Sequence, residues 1–220
     1  MSRVIAGSHG GRRIATPPGD RTRPTTDRVR EALFSAVAAW AGTAALPADQ
    51  ALAGLAVLDL YAGSGAVGLE AASRGGGPVL LVEADKRTAL VTVRNVRELG
   101  LPARVHVGRV ETLVAEPAGQ VFDVAFLDPP YALAAESVDA VVARLVAGGW
   151  LAADALVVVE RSRRGAAPVW PGVVGESWSR SYGETVLHFA ALDPGPTPVG
   201  APAPPGAADG PPAPRPEETP

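Results

Sequence analysis

The stretch Val57-Leu58-Asp59-Leu60-Tyr61-Ala62-Gly63-Ser64-Gly65-Ala66-Val67-Gly68 decides how this chain folds. Its first five residues form an apolar run broken only by Asp59, with the length and character of a buried strand. The glycines that follow keep the spacing G-x-G-x-x-G and lead into a helix expected from about Ala66 to Arg74. A strand that turns on glycines directly into a helix is the first half of a parallel βαβ unit.

Working outward, the alternation continues. Gly75, Gly76, Gly77 and Pro78 stop the helix. Further strands are expected at Val79 to Val82, Arg104 to Val107, Val121 to Leu127 and Ala155 to Glu160. Helices are expected at Lys86 to Leu99, which Gly100 and Pro102 close, at Val110 to Ala115 and at Ser137 to Val146. Pro168 to Trp178 and Glu184 to Ala191 read as a last pair of strands. The alternation predicts an α/β, Rossmann-like, doubly wound and mostly parallel sheet, and the closing pair predicts an antiparallel edge. Upstream, Arg3 to Ala6 and Arg12 to Ala15 fit a small hairpin across Gly7, Gly10 and Gly11. Thr25 or Thr26 then caps a helix whose Val29, Leu33, Val37 and Trp40 share a face, with Arg28, Arg30 and Glu31 off it. Residues 41–54 read as a loop.

Charge divides the chain differently. Residues 1–30 hold seven Arg against Asp20 and Asp27, a net of +5, on a protein whose overall charge is −3. A basic arm on a mildly acidic body suits a polyanionic partner, because Arg neutralises phosphate and releases its counterions. A solvated loop with no partner would look the same in composition. From Asp193 onward, eleven of 28 residues are proline and four are glycine, which is too little apolar surface to order a segment. The expected division is a basic arm at 1–24, a folded domain at 25–192 and a Pro-rich tail at 193–220. There is no cysteine and the three His (His9, His106, His188) stand far apart, so neither a disulfide framework nor a metal site is expected. No apolar run has the length of a membrane span and no signal-peptide pattern opens the chain, so a cytoplasmic protein is expected.

Three acids sit where strands are expected to end. Glu83 lies 20 residues beyond Gly63, at the place where an acid takes ribose hydroxyls, so a nucleoside-containing cofactor is expected. Asp59 stands just before the glycines. A carboxylate there repels the pyrophosphate of a dinucleotide but welcomes an ammonium group. S-adenosylmethionine carries an ammonium, a sulfonium and a ribose, and Asp59 and Glu83 together suit it. The third acid opens Asp128-Pro129-Pro130-Tyr131. The prolines fix φ, remove two N–H donors and hold Asp128 extended. Such a corner offers a carboxylate and backbone carbonyls to a planar amine, with Tyr131 to stack on its plane. It also fits a proline turn with a capping Asp and a packed Tyr. In a doubly wound sheet, ligands lie outside the carboxyl ends of the strands, so all three acids would meet there.

These motifs resemble a known family. Asp59-Leu60-Tyr61-Ala62-Gly63-Ser64-Gly65, Gly68-Leu69-Glu70 and Asp128-Pro129-Pro130-Tyr131 are similar to the class I S-adenosylmethionine-dependent methyltransferases that act on amine or amide nitrogens. A narrower likeness lies in Arg23-Pro24-Thr25-Thr26-Asp27-Arg28-Val29-Arg30-Glu31, with Arg3-Val4-Ile5-Ala6-Gly7, Gly11-Arg12-Arg13, Gly149-Trp150-Leu151 and Tyr182-Gly183-Glu184-Thr185. In that order, over about residues 3–191, they resemble the bacterial RsmD-type 16S rRNA guanine-N2 methyltransferases.

The resemblance implies a seven-stranded methyltransferase sheet and methylation of N2 of a guanine in 16S rRNA, during or after assembly of the small ribosomal subunit, by a cytoplasmic monomer without metal. It implies a catalytic corner of Asp128, Pro129, Pro130 and Tyr131. S-adenosyl-L-methionine would be held at Asp59, Tyr61, Gly63, Ser64, Gly65, Glu83 and Val110, and rRNA by Arg12, Arg13, Arg23, Arg28 and Arg30. One departure is Arg109, which stands where similar proteins carry Asp or Asn for the adenine amine. Arg cannot accept from an amine, so backbone groups around Val110 are expected to take that role. The same motifs leave open an amine of adenine N6 or a protein glutamine and, from the glycines alone, an NAD-dependent oxidoreductase.

Overall fold

The computed structural model describes residues 2–17, 26–130 and 132–193. Arg23, Thr25, Tyr131, the expected boundary at 24 and the tail from residue 194 lie outside the described residues.

In chain order the elements are β1 (Ser2–Arg3), β2 (Arg13–Ile14), α1 (Asp27–Trp40), β3 (Val57–Leu60), α2 (Ala66–Ser73), β4 (Val79–Glu83) and α3 (Lys86–Leu99). There follow β5 (Ala103–Val107), α4 (Val110–Leu113), β6 (Phe122–Leu127), α5 (Ala135–Ala147), β7 (Leu151–Ser162), β8 (Val174–Tyr182) and β9 (Thr185–Leu192). β1 and β2 form the small hairpin, shorter than expected. The other seven strands make one sheet in the order β5-β4-β3-β6-β7-β9-β8. Its first five members are parallel and β9 runs antiparallel to both β7 and β8.

The chain winds outward from β3 to β4 and β5, returns to β6, and then winds the other way. The reversal therefore falls between β3 and β6, which pair Leu58 with Ala125, Asp59 with Phe126 and Leu60 with Leu127. Outside the ends of these two strands, the loops must diverge and leave a crevice.

Local chemistry explains the helices. Thr26 accepts from Val29 N at 3.3 Å to start α1, and Asp85 accepts from Thr88 N at 2.8 Å to start α3. Gly100 ends α3 with a φ of 65°, which L side chains rarely adopt. Each face of the sheet is covered. Val29, Leu33, Phe34 and Val37 of α1, Leu69 of α2 and Leu99 of α3 bury Leu81, Phe126, Leu156, Val158 and Phe189. Val138, Val141, Val142 and Leu145 of α5 with Val110 of α4 bury Leu58, Leu60, Leu127, Val157 and Val159 on the other face. Burial on both faces is why the central strands read as unbroken apolar runs.

The expected bounds of two strands shift. β7 spans Leu151–Ser162 rather than Ala155 to Glu160, because it is paired on both edges and even Leu151 meets Phe122. β8 begins at Val174 rather than Pro168. Pro168 and Pro171 lack the N–H a ladder needs, and Val174 N instead closes a turn on Pro171 O at 3.1 Å. Residues 41–54 are irregular as expected, yet they tuck Ala51 and Leu52 into the core. No helix of the described residues is long and apolar enough to cross a membrane.

Candidate active site

β3 delivers the glycine loop to the crevice. Tyr61 leaves the strand with a φ of 63°, the one described residue other than glycine in the left-handed region. A non-glycine residue there is strained, and such strain persists where the surroundings over-determine it. Its hydroxyl donates to Glu111 Oε1 at 3.0 Å, tying the end of β3 to the start of α4. Burial, first, and the neighbouring Glu111 carboxylate push the phenol well above its ordinary value. Gly63 and Gly65 follow with φ of 55° and 80°. A Cβ on Gly63 would meet nothing within 4 Å, so its backbone borders open space that a ligand can approach. Gly68 serves packing instead, since a Cβ there would lie 2.4 Å from Leu81 Cδ2 of β4.

Two polar residues of α3 brace this loop, and both escaped the sequence reading. Thr92 Oγ1 donates to Gly63 O. Asn95 Nδ2 donates to Ser64 O and to Ala15 O, each at 2.9 Å, while its Oδ1 accepts from Ala15 N at 2.9 Å. Asn95 is 2% exposed. The only sequence signal was a polar side chain in register with Ala89, Thr92 and Leu99 on the buried face of α3.

The acids occupy distinct places. Asp59 is 1% exposed and accepts from Gly68 N at 2.9 Å, beneath the glycine loop. The expectation of a carboxylate openly facing a ligand is thereby corrected, because the strand carries Asp59 under the first turn of α2. Burial raises its carboxyl to about 7, with the Gly68 amide opposing the shift and Glu83 adding to it. Glu83, half-buried at the end of β4, accepts from Gly63 N at 2.9 Å and Asp85 N at 2.7 Å. A carboxylate has about four lone-pair sites, so capacity for a ligand hydroxyl remains. Val110 is buried at the start of α4, and the Arg109 side chain pairs with Glu111 at 3.4 Å with 73% of its surface exposed.

β6 delivers the second half of the site. Asp128 N donates to Leu60 O at 3.4 Å, so the proline corner stands beside the start of the glycine loop. Asp128 is half-buried, Pro129 buried and Pro130 exposed. Asp128 and Pro129 line a concavity of about 80 Å³ with Glu160, Arg161 and Ser162 at the end of β7 and Gly165 just beyond it. Tyr131, expected to stack there, lies outside the described residues. The strand ends thus bring together Asp59, Tyr61, Gly63, Ser64, Gly65, Glu83, Asp128 and Pro129.

The N-terminal arm lies along α2, from Ser73 at its far end to the glycine loop, where Ala15 meets Asn95. Glu70 of α2, fully buried, accepts from Ile5 N at 2.6 Å and Ala6 N at 3.0 Å and pairs with Arg74 at 2.8 Å. A Cβ on Gly7, whose φ is 83°, would collide with Ser73 O, so only glycine lets the arm lie this close to α2. Arg12, Arg13 and Arg28 are exposed, and Arg23 lies outside the described residues. Arg30 must leave the phosphate-binding set. It is 1% exposed, and its guanidinium donates to Ser2 Oγ at 3.1 Å, Arg3 O at 2.7 Å and Asp27 at 2.9 Å. Helical spacing had placed it off the packed face, but β1 covers that side of α1.

A family model described as conserved hypothetical protein 95 matches residues 2–191. Ribosomal RNA small subunit methyltransferase D of Escherichia coli (strain K12) is 34% identical over 180 residues, covering 80% of this chain and 81% of that protein. The Haemophilus influenzae protein of the same name is 30% identical over 181 residues, covering 80% and 84%. Among solved structures, yhhF of Escherichia coli matches with a TM-score of 0.73 at 28% identity, over 87% of this chain and 97% of that one. A hypothetical protein of Thermus thermophilus matches with a TM-score of 0.67 at 30% identity, over 88% and 99%. From the N-terminal hairpin to the antiparallel edge, this chain belongs to the conserved hypothetical protein 95 family, that of the RsmD-type methyltransferases.

Proposed function

We propose that this protein methylates ribosomal RNA of the small subunit, transferring a methyl group from S-adenosyl-L-methionine to N2 of one guanine. The observation that carries the reading is the pairing of Leu60 with Leu127, which sets the glycine loop and the Asp128-Pro129 corner side by side at the switch point. The names of the relatives support the RNA class. The choice of guanine N2 rests on the amine-binding chemistry of the corner.

The residues present suit the cofactor. Gly63 offers an open backbone, Glu83 a ribose acceptor and the Val110 region a backbone edge for adenine. Bound S-adenosylmethionine supplies an electrophilic methyl on a cationic sulfur. Guanine N2 is a poor nucleophile because its lone pair is delocalised into the ring. The Asp128 carboxylate and the Pro129 carbonyl accept from its two N–H groups, pyramidalise the nitrogen and aim the lone pair at the methyl. Positioning and electrostatics of this kind suffice for an in-line transfer. The proton leaves to Asp128 or to water. Tyr131 stacks on the base once it is turned out of its helix. Arg12, Arg13, Arg23 and Arg28 grip phosphates, and the protein acts as a cytoplasmic monomer.

The structure gives a reason to set the dinucleotide reading aside. The head of α2, where a pyrophosphate would sit, already receives the Asp59 carboxylate at Gly68 N. Adenine N6 remains the nearest rival. The test is incubation with labelled S-adenosylmethionine and small subunits from cells lacking the gene, then mass spectrometry of the nucleosides. N2-methylguanosine is expected. Asp128→Ala is expected to lower the rate on the order of 10²-fold or more while cofactor binding persists. N6-methyladenosine, or full activity of Asp128→Ala, would overturn the assignment.

A further inference from the structure

The concavity beside the catalytic corner contains an acid that the amine-binding reading does not use. Glu160 ends the apolar run Ala155 to Val159, every residue of which is fully buried, and is itself only 8% exposed. β6 and β7 pair Leu127 with Val159, and the next residues are Asp128, just beyond the end of β6, and Glu160 of β7. Both line the same 80 Å³ space with Pro129. On its other side Glu160 pairs with Leu187 of β9, so the β7–β9 ladder holds its backbone. Keeping a carboxylate at such depth carries a desolvation cost, and positions that bear this cost beside a cleft are where function is expected.

We propose that Glu160 selects guanine by accepting the N1–H while Asp128 and Pro129 hold the N2 amine. The inference rests on the guanine-N2 reading above. Guanine presents N1–H and the N2 amine side by side, a row of donors that two neighbouring acceptors match. Adenine presents an acceptor at N1 beside its amine, and a carboxylate oxygen facing that lone pair repels it. A corner of Asp128, Pro129, Pro130 and Tyr131 serves any planar amine. Glu160 supplies the discrimination that the corner lacks, and the β7–β9 frame keeps it rigid enough to do so.

The experiment compares two substrates. Small subunits are reconstituted with 16S rRNA carrying either guanine or 2-aminopurine at the mapped site. The analogue keeps the C2 amine but has an unprotonated N1. The wild-type protein is expected to prefer guanine at least tenfold in kcat/KM; equal rates would overturn the inference without need of any variant. Glu160→Gln can turn an N–H towards the analogue's N1. It is expected to lose roughly ten- to a hundredfold on guanine and to narrow the preference by at least tenfold. An equal loss on both substrates would show a merely structural role and overturn the inference, as would an unchanged preference. Formation by the wild type, on the guanine substrate, of a product other than N2-methylguanosine would overturn the underlying reading and the inference with it.

Discussion

Burial at the head of α2 raises the Asp59 carboxyl to about 7, whereas in the unfolded chain it ionises near 3.8. Between those values the folded protein binds more protons than the unfolded chain, so stability falls as pH rises through that window and is level above it. The full difference is on the order of 4 kcal/mol. Asp59→Asn keeps an acceptor for Gly68 N and removes the titration. Urea unfolding from pH 4 to 8 is expected to show a downward slope for the wild type that the variant lacks; parallel profiles would mean that Asp59 ionises freely in the fold. Tyr61 belongs to the same scale. Its left-handed backbone and its bond to Glu111 turn the end of β3 towards α4, where the adenine end of the cofactor is proposed to lie.

At the scale of elements, α3 is the joint between the arm and the glycine loop. Asn95 alone ties Ala15 to Ser64 across 80 and 31 positions of sequence. Its removal leaves partly buried backbone groups unpaired, each costing about 1–3 kcal/mol. Asn95→Ala is therefore expected to lower the unfolding free energy by about 3 kcal/mol and to weaken S-adenosylmethionine binding, because the loop loses its brace. An unchanged urea midpoint together with unchanged cofactor affinity would show that Thr92 and the hairpin suffice. The arm's other anchor, Glu70, was visible only as part of a resembling motif. Its contacts to Ile5 and Ala6 span more than 60 positions, and nothing local to α2 marks it out.

For the whole molecule, the described arm lies along α2, from Ser73 at its far end to Ala15 beside the glycine loop, and holds Arg12 and Arg13 exposed. If that arm meets phosphates, replacing Arg12, Arg13 and Arg28 with Ala should weaken rRNA binding and reduce the salt slope by about 1 for each phosphate no longer neutralised. Arg30→Ala should behave differently. It strips a buried guanidinium from Ser2, Arg3 and Asp27, so it should lower stability. Filter binding at several salt concentrations, run beside urea unfolding, separates the two classes. An unchanged slope for the triple variant would leave those arginines as solvated surface.

The sheet, its helices and its antiparallel edge were legible in the sequence because strand and helix periodicity and glycine stops are local properties of neighbouring residues. The candidate chemistry at Asp59, Glu83 and Asp128 was legible for a related reason, since topology places every parallel strand's end at one edge. Tertiary structure alone decided how those groups are used. It put Asp59 beneath the loop, where a carboxylate loses its water, and covered Arg30 with a strand that no helical wheel contains. It also brought Glu160 beside Asp128, a neighbourhood set by the pairing of strands more than 30 residues apart in the chain. Burial and partnership between distant segments are properties of the packed chain, and no single stretch of sequence carries them.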